Sequence, residues 1–206
     1  TSTWAGPENF YTGYCVPAST STTYYIDDFT TTGGYVNINN TGTGLSTGGY
    51  GNFSAQSVLT SAGSVINFNA QFSGTSTFHF RIWVDLNHDL VFDDVNELAF
   101  DGTVYQNAYT GSITVPPGTA NGNYRVRIRQ TFTGTPAPCG SSSGETEDYP
   151  LTVTSPPSCL PPTGLAAMNI TTTGADLIWA DNNPTPAGGY QWAVRDGANA
   201  VVASGS

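Results

Sequence analysis

No stretch of a dozen residues in this chain carries apolar side chains at helical spacing without a glycine, proline or β-branched interruption. The period that recurs is two. In Phe78-His79-Phe80-Arg81-Ile82-Trp83-Val84, the residues Phe78, Phe80, Ile82 and Val84 share one face. In Tyr124-Arg125-Val126-Arg127-Ile128-Arg129, the apolar residues are expected to point inward and the arginines outward. Residues 65–72, 111–115 and 149–153 alternate in the same way. Pro116-Pro117-Gly118 is expected to form a turn, and Asn121-Gly122 a hairpin-type turn. Many short strands between frequent turns define an all-β chain, a β-sandwich or jelly-roll-like domain. At 206 residues the chain can bury a real core.

Composition narrows the partners. There are five basic residues, all arginine, against fifteen acids, for a net charge of −10. Such a chain repels phosphate backbones, which excludes nucleic acid as a natural ligand. No run of eighteen apolar residues is present, so no membrane insertion is expected. No basic-then-apolar leader opens the sequence; any such leader is expected to have been removed. The acidic, lysine-free composition points to an extracellular setting, where disulfides persist. Of the three cysteines, Cys15 and Cys139 lie near the two ends of the first unit and are assigned as a bridge. Cys159 is left over, and three free thiols are the alternative.

Residues 155–162 form a proline-rich linker between a first domain, 1–154, and a second unit, 163–206. In the second unit, Leu177-Ile178-Trp179 is followed by Gly189-Tyr190-Gln191-Trp192-Ala193-Val194-Arg195. The pattern resembles the first half of a fibronectin type III domain, in which a tryptophan ends the second strand. A complete domain of that type has about seven strands in ~100 residues. About four strands fit here, so the unit is expected to be a partial sandwich, either a fragment or one completed by something else.

The sharpest chemical signal is residues 85–97. Asp85, Asn87 and Asp89 place oxygens at loop positions one, three and five. The Val91 carbonyl falls at position seven and Glu97 closes the run. Alternate oxygens around a turn suit Ca²⁺, a hard cation with six to eight oxygen ligands. Six of the fifteen acids lie between Asp85 and Asp101, and packing them without a cation costs repulsion. Two departures separate the run from an EF-hand loop. Leu90 stands where a glycine is usual, and Glu97 comes one residue late. The flanks are strands, so the expected device is a β-framed calcium loop; an acidic hairpin tip is the structural alternative.

The second signal is Gly144-Glu145-Thr146-Glu147-Asp148-Tyr149. Several separated motifs lead up to it in order: Tyr14-Cys15, Trp83-Val84-Asp85-Leu86-Asn87-His88-Asp89, Glu97, Gly111–Pro116, Arg125-Val126-Arg127 and Pro138-Cys139-Gly140. Residues 11–154 thereby resemble the GEVED domain, with Thr146 in place of the valine of its closing motif. The resemblance implies a secreted or surface-displayed bacterial protein, typical of type IX-secreting Bacteroidota. Such domains accompany fibronectin type III repeats, adhesin-like regions or secreted peptidases.

On a strand, Glu145 and Glu147 share one face and Asp148 takes the other. Ion pairing with Arg125, Arg127 and Arg129 is one role for them; completing a metal shell is another. No Gly-x-Ser-x-Gly or His-Glu-x-x-His motif is present. His79 is read as a structural histidine and His88 as an exposed one, so no enzymatic activity is expected in this segment. Trp4, Phe10, Tyr11, Tyr14, Tyr24, Tyr25 and Tyr35 cluster toward the N-terminus, as core packing or as a sugar platform. The expected function is that of a non-catalytic, calcium-binding extracellular module for adhesion, surface assembly or attachment. Its partner would be a surface protein or glycan, or further domains of the same chain in self-assembly. An accessory domain of a secreted hydrolase and a carbohydrate-binding module are the alternatives.

Overall fold

A computed structural model of the chain describes residues 13–92, 95–156, 162–182 and 190–205. The chain divides into two compact units between Pro156 and Pro157, inside the proline-rich segment.

The first unit contains β1 (Ala18–Ser19), β2 (Ile26–Thr32), β3 (Asn39–Thr41), β4 (Tyr50–Asn52), β5 (Val58–Thr60) and β6 (Val65–Phe72). It continues with β7 (Phe78–Asp85), β8 (Leu98–Gln106), β9 (Ala108–Thr114), β10 (Gly122–Thr131), β11 (Ser141–Ser142) and β12 (Thr146–Val153). One sheet has the order β3-β2-β6-β9. The other has the order β4-β12-β10-β7-β8, with β5 also on β12. The two sheets form a β-sandwich. Period-two alternation decides which residues meet between them. Ile66, Phe68, Ala70 and Phe72 face in from β6, and Phe78, Phe80, Ile82 and Val84 from β7. Ring contacts cross the gap, Phe72 to Phe80 at 5.3 Å and Phe29 to Tyr149 at 5.3 Å.

Asn121-Gly122 is not a hairpin turn, contrary to the sequence signal. β9 and β10 belong to different sheets, and the segment between them crosses the end of the sandwich. Both edges of β10 are hydrogen-bonded, to β7 and to β12, and Gly122 starts its ladder opposite Val153. The turn expected at Pro116 does form, with the Thr119 amide donating to the Pro116 carbonyl.

The second unit has β13 (Thr163–Met168) paired with β14 (Asp176–Ala180), and β15 (Trp192–Arg195) paired with β16 (Val201–Gly205). Leu177, Trp179, Trp192 and Val194 line one apolar cleft, while Leu165, Ile170 and Val202 are exposed. Four described strands with this much open apolar surface make a thin unit.

Candidate metal centre

The loop between β7 and β8 starts from a buried anchor. Asp85 ends β7 on the sheet face turned away from the core, and is fully buried. Its Oδ1 accepts the His88 amide at 2.7 Å, and its Oδ2 accepts the Tyr14 hydroxyl at 2.5 Å. Glu97, also buried, stands one residue before β8. Its Oε1 accepts the Leu86 amide at 2.9 Å, and its carbonyl accepts the Val84 amide. Between these anchors the chain turns sharply. His88 and Leu90 have φ of 63° and 68°. Leu90 therefore adopts the left-handed backbone that a glycine usually supplies, at a cost of about 1–2 kcal/mol. Asn87 Oδ1 accepts the Asp89 amide and Asp89 Oδ1 the Val91 amide, each at 2.8 Å.

Asp85, Asp89 and Glu97 each bring one carboxylate oxygen to within 4.8 Å of the other two. Calcium–oxygen bonds of ~2.3–2.6 Å separate opposite ligands by about 5 Å, so three atoms this close fit around one ion. The donor set is all oxygen, which suits calcium over softer metals. Asn87 lies within the same turn, its amide nitrogen 3.0 Å from Asp89 Oδ2. Val91 is placed by its own amide bond to Asp89. The loop holds a further participant that the sequence reading missed, Tyr14. Burial, and then its bond to Asp85, holds the Tyr14 phenol well above its ordinary pKa, so it stays a hydrogen-bond donor. It stacks on Phe92 at 5.3 Å, which ties the loop to the chain around Cys15. Asp93 and Asp94 lie outside the described residues.

Behind the loop, Arg81, Arg127 and Arg129 line the outer face of β7 and β10. Arg125, Arg127 and Arg129 were expected to point outward from β10, and Arg127 and Arg129 are nonetheless buried. The cover is a strap made of residues 14–20 and 136–142, closed by the Cys15–Cys139 disulfide and by the parallel β1–β11 pair. This is the pairing assigned from position; Cys159 lies outside the described residues. Arg127 donates to the Pro138 and Cys15 carbonyls, both at 2.9 Å. Arg129 donates to the Ala137, Cys139 and Gly140 carbonyls at 2.6, 2.9 and 2.8 Å. Burial, then the neighbouring Arg127 charge, pulls Arg129 down to about 10.

Asp148 on β12 faces the same way. It takes Arg127 in a fork, Nε to Oδ1 at 2.7 Å and an Nη to Oδ2 at 2.8 Å, with the Tyr50 hydroxyl at 2.7 Å. Residues 79–152 match the model of the GEVED domain. Among curated proteins no relative matches the chain. The GEVED match runs from β7 to β12, so it includes the acidic loop, the arginine face and the closing motif.

The geometry explains the GEVED motif residue by residue. A Cβ on Gly144 would sit 2.1 Å from the Gln130 carbonyl oxygen, so no side chain fits there. Asp148 is the ion-pairing member. Glu145 and Glu147 are not, which corrects the expectation that all three could serve the arginines. They share the opposite face of β12 with Tyr149 and Leu151, inside the sandwich, and both are fully buried. Glu145 accepts the Ile26 amide at 2.9 Å and the Ser46 amide at 2.7 Å. Glu147 accepts the Tyr149 hydroxyl at 2.7 Å, and its other oxygen has no hydrogen-bond partner. The Thr43 hydroxyl, which donates to the Ile26 and Asp27 carbonyls, lies near enough to Glu147 to oppose the rise in its pKa. Burial, then the Glu145 charge, pushes Glu147 well above the carboxylate range.

The remaining candidates separate. His79 is buried and pairs with Asp101 at 2.6 Å; His88 is exposed, its ring 4.6 Å from that of Tyr124. The N-terminal aromatics do not gather into one platform. Tyr24 stacks on Phe132, Tyr35 bonds Ser61, and Tyr14 goes to the loop. Trp4, Phe10 and Tyr11 lie outside the described residues.

Proposed function

We propose that this chain is a non-catalytic, calcium-stiffened extracellular module used in adhesion, surface assembly or attachment. The observation that carries the reading is the convergence of Asp85, Asp89 and Glu97 oxygens at the mouth of a β-hairpin. Asp85, Asn87, Asp89, Glu97 and the Val91 carbonyl would hold one Ca²⁺. The ion would supply charge neutralisation: two of the three carboxylates are buried, and a divalent cation relieves their mutual repulsion. What the chain's own residues do is mechanical. Tyr14 and Phe92 couple the loop to the disulfide strap, and Glu97 joins the loop's two ends.

The Cys15–Cys139 bridge supports an oxidising location, and among the described residues no helix is long and apolar enough to cross a membrane. Residues 163–206 would begin a fibronectin type III-like sandwich, as expected for modules strung along a surface protein. The test is thermal unfolding with millimolar calcium and with chelator, on wild type and on Asp85→Ala plus Asp89→Ala. At ten times its dissociation constant the ion stabilises by about 1.4 kcal/mol, a shift of roughly 3–6 °C. If calcium moves the double mutant as far as the wild type, the loop is only an acidic hairpin.

A further inference from the structure

A second polar feature lies on the outer face of the larger sheet, and it shares only Tyr14 with the calcium reading. Tyr14, Asn52, Ser54, Asn123, Arg125 and Pro150 line an open cleft of about 290 Å³. Register brings them together: Arg125 on β10 lies opposite Pro150 on β12, and Asn52 on β4 opposite Asp148.

Arg125 differs from the other arginines of the first unit. A third of its side chain is exposed, and among the described residues its side chain makes one hydrogen bond, an Nη contact to Asp148 Oδ2 at 3.2 Å. Asp148 does not depend on it, because Arg127 and Tyr50 already fill that carboxylate. The central carbon of the Arg125 guanidinium lies over the Tyr14 ring, 4.3 Å from its centroid, which restrains the group in advance of any ligand. A guanidinium has five donors in a fork that matches a carboxylate. Asn123 accepts the Thr152 hydroxyl through Oδ1 at 2.8 Å, which leaves its amide nitrogen as a donor. Asn52 and Ser54 are exposed at the opposite rim.

The aromatic rings of the cleft are already covered. Tyr14 is packed between Arg125 and Phe92, and Tyr124 lies against His88. A neutral sugar that binds by stacking therefore finds no open face. A ligand with a planar carboxylate and neighbouring hydroxyls finds the fork, two amides and a serine hydroxyl. The volume lies at the low end for small-ligand sites, so it takes one ring, and the open cleft lets a polymer continue past it.

We propose that this cleft binds a single uronic-acid unit of an otherwise neutral glycan, with Arg125 on the carboxylate and Asn52, Ser54 and Asn123 on the hydroxyls; one carboxylate on one guanidinium avoids the repulsion that the acidic chain would exert on a polyanion. The inference deepens the attachment role by naming a ligand class, and it does not require the metal loop. The test is an amide-resolved NMR titration of the whole chain, in calcium, with methyl galacturonoside, which carries a single carboxylate. Galactotriose, acetate and a glutamate-rich peptide serve as comparisons. The expected result is saturable binding that shifts residues 52–54 and 123–125, with Arg125→Gln at least about tenfold weaker and Asn52→Ala also weaker. Both variants should keep the wild-type calcium shift in melting temperature, which separates failure of the cleft from failure of the loop. No shifts at these residues, equal binding by galactotriose, acetate or the peptide, or full affinity in Arg125→Gln would overturn the proposal.

Discussion

Glu147 is the residue whose chemistry conflicts most with its surroundings. It is fully buried, one oxygen lacks a partner, and Glu145 lies on the same strand face two residues away. Desolvation first and the Glu145 charge second raise its folded pKa well above 4.5. The folded chain therefore keeps this proton at pH values where the unfolded chain has lost it. Its contribution to stability is full below 4.5 and is lost as pH rises through the folded value. Asp101 acts in the opposite direction: the Arg81 hydrogen bond above all holds it below 3.8. Its contribution is present above 3.8 and lost as pH falls through the lower folded value, so the two windows do not overlap. Stability in urea should thus decline between pH 4.5 and 7. Glu147→Gln should flatten that slope and add about 1–3 kcal/mol at pH 7, since the Tyr149 hydroxyl keeps an acceptor. An unchanged slope in the variant would remove Glu147 from the account.

At the scale of strands, the alternation along β6, β7 and β10 was legible because a half-buried strand shows its faces directly in sequence. The gathering of Asp85, Asp89 and Glu97 was legible too, since the three lie within thirteen residues. The strap was not. Arg127 and Arg129 donate to carbonyls of Cys15, Ala137 and Pro138, and a backbone acceptor carries no side-chain signature. Tyr14 reaches Asp85 across 71 positions of sequence, a contact that no local pattern announces. The direction of Glu145 and Glu147 was hidden as well, because two carboxylates on a core face contradict the usual pattern. The joint between β10 and β12 is where Gly144 belongs. Its α-carbon passes so close to the Gln130 carbonyl that Gly144→Ala forces the two strands apart. The expected cost is about 1–3 kcal/mol in chemical denaturation. A variant as stable as wild type would mean the ladder there is slack.

For the whole molecule, two devices hold the outer sheet face: the disulfide strap and the loop anchored by Asp85 and Glu97. The Cys15–Cys139 bridge closes a separation of 124 residues, worth about 4–5 kcal/mol in the chain-entropy view. Cys15→Ser plus Cys139→Ser should lower stability by that order, while the arginine–carbonyl bonds keep the fold. A melting temperature equal to wild type would show that the arginines alone secure the strap. The first unit, so built, carries an acidic loop after β7 and a polar cleft on the outer face of the same sheet. The central claim is that the loop holds one calcium ion, and calorimetric titration of chelator-treated protein tests it most directly. The account predicts one ion per chain at a dissociation constant of about 10⁻⁴–10⁻³ M, abolished in Asp85→Asn plus Glu97→Gln; no heat of binding, or binding unchanged in that double variant, would contradict it.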